Sequence, residues 1–103
     1  MHKQKTNYKI SFFNEAKLEY DNLDGSQLTF VDKGLDRIAA KGMSAGAPLY
    51  GKLEGCRKLK NKKMGLRIVF TQTNKTINVI SIVAIGKRRR FEVYNNAVKR
   101  VNK

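Results

Sequence analysis

The residues of this 103-residue chain best equipped for chemistry are cations and one phenol. Lys58 and Lys60 fall in a segment, Lys52 to Lys60, that alternates loosely as a strand would, which puts both on one face about 6.5 Å apart at ~3.3 Å rise per residue. Crowded ammonium groups disfavour one another's protonation, which gives one lysine of the pair a route to general-base action near neutral pH. On a merely solvated face the same pair would attract phosphate and move no proton. Arg67 interrupts the apolar run Leu66-Arg67-Ile68-Val69-Phe70, an expensive position for a charge unless the side chain emerges on an open face. The run Lys87-Arg88-Arg89-Arg90 opens the last expected helix, where the macrodipole disfavours cations, so it suits an anionic ligand. Basic runs are common, however, and this one alone is a weak signal. Tyr94 has the spacing of a core aromatic, three and four residues from Phe91 and Val98.

Other catalytic vocabulary is sparse. The single histidine, His2, lies in a terminus expected to fray, and Glu54 and Glu92 are the only carboxylates of the second half. Magnesium sites draw on several oxygen ligands, so no metal site and no cofactor is expected. One cysteine, Cys56, allows neither an internal disulfide nor a multi-cysteine metal site, and suits a reducing interior.

The charge is lopsided. Residues 1–50 hold seven Lys/Arg against six Asp/Glu, whereas residues 51–103 hold fifteen against two, giving a formal net charge of +14. Self-repulsion of that size destabilises a compact chain and points to a polyanionic partner such as RNA, DNA, an anionic membrane or an acidic protein. The start of the chain has no apolar h-region, and the longest apolar stretch, Val79 to Ile85, is far too short to span a bilayer, so a cytoplasmic protein is expected.

These side chains need a scaffold, and the length allows one domain over residues 1–103, with apolar residues at 41%. Tyr8, Ile10 and Phe12 alternate as a strand, and Asn14 offers a cap for a helix carrying Ala16, Tyr20 and Leu23. From Ser26, the residues Leu28, Val31, Leu35 and Ile38 predict a second helix closing at Gly42. Residues 43–51, with Gly46, Pro48 and Gly51, read as a surface connection. Strands are expected over Lys52–Lys60, Leu66–Gln72 and Thr76–Ile85, the last central and covered on both faces, with short turns at Asn61–Gly65 and Thr73–Lys75. Phe91, Tyr94, Val98 and Val101 predict a closing helix over Arg88–Asn102, with Lys99, Arg100 and Lys103 near its negative end. The order β-α-α-β-β-β-α is economically an α+β fold, with helices packed on one face of a small, largely antiparallel sheet.

Four segments together, Cys56-Arg57-Lys58-Leu59-Lys60, Gly65 to Phe70, Ile85 to Tyr94 and Ala97 to Arg100, resemble the RelE branch of the RelE/ParE toxin superfamily. The likeness runs from about Tyr8 onward and is strongest in the second half. It implies a RelE-like domain, the toxin of a type II toxin–antitoxin system, acting as a metal-independent endoribonuclease that cleaves messenger RNA in the ribosomal A site. Its partners would be the ribosome, the message and a cognate antitoxin protein. In that family the ribose 2′-OH attacks, leaving a 2′,3′-cyclic phosphate and a 5′-OH, which calls for a base, charge stabilisation and an acid. By position, Lys58 resembles the base, Lys60 and Arg67 the phosphate-holding groups, and Arg88 the acid. A guanidinium gives up its proton only above about pH 12, so charge stabilisation is a competing role for Arg88. Tyr94 resembles the tyrosine that orients the nucleotide, a role opposed to the core position its periodicity suggests. Arg57, Lys62, Lys63, Lys87, Arg89 and Arg90 would add RNA-phosphate contacts and salt dependence. Departures are Leu66 where an aromatic is frequent, Phe70 for a frequent tyrosine, and Phe91 for a polar residue. A ParE-like gyrase inhibitor without nuclease chemistry, or an RNA-binding relic that does not cut, are the other readings of the same scaffold.

Overall fold

A computed structural model describes residues 7–74 and 78–102. His2, Lys103, and Lys75 and Thr76 of the last expected turn and strand lie outside the described residues. The elements are β1 (Lys9–Phe12), α1 (Asn14–Asp21), α2 (Gly25–Lys41), β2 (Ala47–Pro48), β3 (Cys56–Asn61), β4 (Leu66–Asn74), β5 (Val79–Lys87) and α3 (Glu92–Val101). One sheet contains all five strands in the order β1-β5-β4-β3-β2. β1 runs parallel to β5 and the other three pairs are antiparallel, so the sheet is largely antiparallel as the sequence predicts.

β5 lies inside the sheet, and its near-continuous apolar run is divided between two cores. Ile80, Ile82 and Ile85 join Val31, Ile38, Leu66, Ile68 and Phe70 beneath α2, together with Ala16 of α1. Val83 and Ala84 join Val69, Val93 and Ala97 beneath α3. A register shift makes this possible: Val69 pairs with Ala84 and Phe70 with Ile82, so Val83 is the extra residue of a bulge and two consecutive side chains serve the same face. The first two helices thus share a face, but α3 covers the opposite one, which an arrangement of helices on one face alone does not include. The physical reason is that the inner strands are apolar on both sides and must be covered on both.

Asp24 caps α2, which begins at Gly25, one residue before the expected start at Ser26. Its carboxylate accepts from the Gln27 backbone N–H while the Gln27 side chain accepts from the Asp24 N–H, a reciprocal capping box. The connection expected over 43–51 contains β2, an edge strand too short to leave a pattern. It lies close because of Gly46: a Cβ there would come within 2.6 Å of both the Lys58 carbonyl oxygen and the Phe70 ring. Lys52 is not in a strand, since a short 3-10 turn occupies Gly51–Leu53 and β3 begins only at Cys56. On the other side, Glu19 of α1 ties the helices together, accepting from Arg100 Nη1 at 2.7 Å and from the Ile85 backbone N–H at 3.1 Å. That N–H lies beyond Phe12↔Ile82, the last β1–β5 pair, so a side chain supplies the acceptor a strand would otherwise provide. Among the described residues no helix is long and apolar enough to cross a membrane.

Candidate active site

The cationic residues converge where α3 stops covering the sheet. On β3, the side chains of Cys56, Lys58 and Lys60 share the α3 side, because their partners on β4 are Thr71, Val69 and Arg67. Lys60 pairs with Arg67 and Arg67 with Gly86, so the outermost row on this face reads lysine, arginine, glycine. The next row, Lys58, Val69 and Ala84, passes beneath α3. The Lys58 Nζ stands over the Tyr94 ring, 5.8 Å from its centroid. Tyr94 is half-buried and packs on the α3-side core, as its helical spacing predicts, while presenting its ring to this lysine.

Arg67 is 7% exposed. Its Nη1 donates to the Leu66 carbonyl at 3.0 Å and the Asn61 carbonyl at 3.4 Å, while its Nε is buried with no hydrogen-bond partner. A buried donor of that kind is costly to leave unsatisfied. Arg88 arrives from the end of β5: its backbone N–H donates to the Gly65 carbonyl at 2.7 Å, which ties the basic segment to the β3–β4 turn. Gly65 holds that turn with φ +67°, a conformation suited to glycine.

Charge is dense enough here to move a proton equilibrium. Lys62 above all, then partial desolvation, then Lys58, Arg67 and Arg88, push the Lys60 ammonium below the ordinary lysine range. Crowding therefore lowers Lys60, the exposed member of the lysine pair. Cys56 offers no nucleophile, since burial raises its thiol above the usual cysteine value.

The other cations are distributed differently. Lys62 and Lys63 lie exposed in the β3–β4 turn, and Lys87 Nζ donates to the Met64 carbonyl at 3.3 Å on the same turn. Arg89 and Arg90 line a cavity of about 390 Å³ with Glu92, Asn95, Asn96 and Lys99, along the helix face opposite Val93 and Ala97. Neither Lys58 nor Tyr94 is among the residues lining that cavity. Arg57 points to the α2 side, where its Nη1 donates to the Gly46 carbonyl at 3.0 Å, so it braces the β2 connection and does not join the cluster. Sequence reading overlooked Lys99 as a companion of Arg89 and Arg90; its seven-residue spacing from Glu92 on the outer stripe of α3 was the available signal.

Comparison with known proteins fits this picture. No family model matches the chain. A putative RelE-like toxin protein of Escherichia coli is 31% identical over 94 residues, spanning 91% of this chain and 97% of that protein. The chain belongs to the RelE-like toxin family. A second relative in this family, the mRNA interferase toxin RelE of E. coli, is 29% identical over 94 residues and matched over 97% of its length. Among solved structures, a free arginine-to-alanine double mutant of E. coli toxin RelE superposes with a TM-score of 0.74 at 28% identity, covering 91% of this chain and 97% of that one. The same toxin mutant in complex with an antitoxin RelBc peptide gives 0.67 at 29% identity, covering 90% of this chain and 96% of that one. The RelE-like fold implied by four sequence segments is therefore the fold of the chain.

Proposed function

We propose that this RelE-like toxin is the toxin of a type II toxin–antitoxin pair and a metal-independent endoribonuclease that cuts messenger RNA in the ribosomal A site. It would act in the cytoplasm, where translating ribosomes are, and be neutralised by a cognate antitoxin protein. The observation that carries this reading is the meeting of Lys58, Lys60, Arg67 and Arg88 at one end of the sheet face, beside the Tyr94 phenol. Support comes also from the mRNA interferase relative and from the antitoxin-bound toxin among the structural neighbours.

The chemistry follows from the charge. A ribose 2′-OH attacks the adjacent phosphorus; its proton goes to a base, the P–O5′ bond breaks to leave a 2′,3′-cyclic phosphate, and O5′ takes a proton from water to become the 5′-OH. Lys60 suits the base, because its neighbours disfavour the ammonium and leave more neutral amine near pH 7. Lys58, standing over Tyr94, then suits charge stabilisation, an exchange of the roles implied by resemblance. Arg67, paired with Lys60 across the strands, contributes fixed positive charge beside the phosphate, and Arg88 neutralises charge building on O5′. Tyr94 holds the nucleotide so that its 2′-OH lies in line.

Lys62→Ala tests the base. Removing the foremost cause of the depression lets the Lys60 ammonium rise toward the ordinary lysine range, so the ascending limb of the pH–rate profile moves to higher pH and cutting at pH 7 falls. An unmoved profile would take the base role from Lys60. The function itself is read by primer extension on a translated message: cuts inside codons, only when ribosomes are present, are expected. No cuts together with altered DNA supercoiling would replace this reading with gyrase inhibition.

A further inference from the structure

The apolar stripe of α3 predicts that Phe91 packs in the core with Tyr94, Val98 and Val101. It does not: Phe91 is 58% exposed. The cause is local. Arg90 (φ 54°, ψ 27°) and Phe91 (φ 56°, ψ 25°) are left-handed, so the helix begins only at Glu92 and the ring leaves the stripe. Among the described residues these are the two non-glycine positions with positive φ. A bulky residue is strained in that conformation, and strain of this kind persists where the surrounding structure enforces it, often at a functional site. The chain thus gives up apolar burial and accepts backbone strain to hold a phenyl ring in solvent. The ring lies against the cation cluster, with the Arg88 guanidinium 5.4 Å from its centroid, and the Phe91 N–H donates to the Arg88 carbonyl at 2.6 Å.

We infer that Phe91 is a nucleobase platform, stacking on a base of the message next to the scissile phosphate while Arg88 engages that phosphate. An exposed π-face beside a guanidinium matches the alternation of flat bases and anionic phosphates in single-stranded RNA, and stacking needs no base identity. The inference rests on the proposed nuclease reading for its substrate class and adds a binding residue that neither periodicity nor the cation cluster supplies.

The test uses ribosomes programmed with two messages: an unmodified one for cleavage, and one with 2-aminopurine beside the cut and a 2′-O-methyl group blocking attack. Wild type should quench the 2-aminopurine on binding, and Phe91→Tyr and Phe91→Trp should retain the quench. Phe91→Leu and Phe91→Asn should lose it and lower kcat/KM about 10- to 100-fold through KM, with kcat nearly unchanged. Asparagine tolerates the left-handed region, so Phe91→Asn should melt at the wild-type temperature or higher, separating lost stacking from lost folding. Equal quench and equal kcat/KM for wild type and Phe91→Leu would overturn the platform while leaving the nuclease reading intact. A fall in kcat with KM unchanged would overturn it too, making the ring a mere support for Arg88. Quenching without cleavage by wild type would instead remove the nuclease reading and leave the platform standing.

Discussion

Replacing Arg88 and Lys58 together by alanine is expected to lower message cutting on ribosomes by about 10⁴-fold, with ribosome binding close to wild type. Both side chains stand at the cation cluster, Lys58 over the Tyr94 ring and Arg88 within electrostatic reach of Lys60. Under the proposed chemistry, deleting them removes charge stabilisation on both sides of the phosphorus, and groups acting as a unit give losses that do not add, so each single variant should lose nearly as much as the pair. Binding survives because the second half retains thirteen of its fifteen Lys/Arg. The comparison is single-turnover cutting of one message against sedimentation of the protein with ribosomes. Unchanged cutting by the double variant would remove these residues from the site.

The second large effect is on stability. Phe70→Ala should cost about 3–5 kcal/mol in urea unfolding at 25 °C. Phe70 is fully buried in the α2-side core, and its ring also fills the space left by the missing side chain of Gly46. Truncation therefore opens a cavity under the sheet and loosens the β2 connection at once. A domain of this size has only about 5–15 kcal/mol in total, so the variant should be largely unfolded near its working temperature. Leu18→Ala is the matched control: Leu18 is exposed on α1 and should change stability by no more than about 0.5 kcal/mol. A Phe70→Ala loss under about 1 kcal/mol would mean that this core is not the one holding the sheet.

Much of this was legible in the chain. The 3.6-residue period of α2 and α3 and the doubly apolar β5 are strong signals because packing and periodicity agree. Alternation on β3 placed Lys58 and Lys60 on one face, and that face meets Arg67 because the antiparallel register pairs Lys60 with Arg67. Other features left no pattern. β2 is two residues of edge strand, held by a close approach at Gly46 that only coordinates reveal. The bulge at Val83 lets adjacent residues face the same side, so a period-two reading of β5 cannot assign faces beyond it. Arg57 looked like one more cation for RNA, yet strand alternation sends it through the other face to Gly46. Nor does helical spacing foresee that Phe91 leaves its stripe, since the decision lies in two backbone dihedrals.

In the proposed reaction a phosphodiester is broken by its own ribose hydroxyl under the influence of lysines and arginines. The ends of the RNA fragments cut on the ribosome report that chemistry. A 2′,3′-cyclic phosphate on the upstream fragment and a 5′-hydroxyl on the downstream one are the expected result. A 3′-hydroxyl with a 5′-phosphate would contradict it, because water and not the neighbouring 2′-OH would then have attacked.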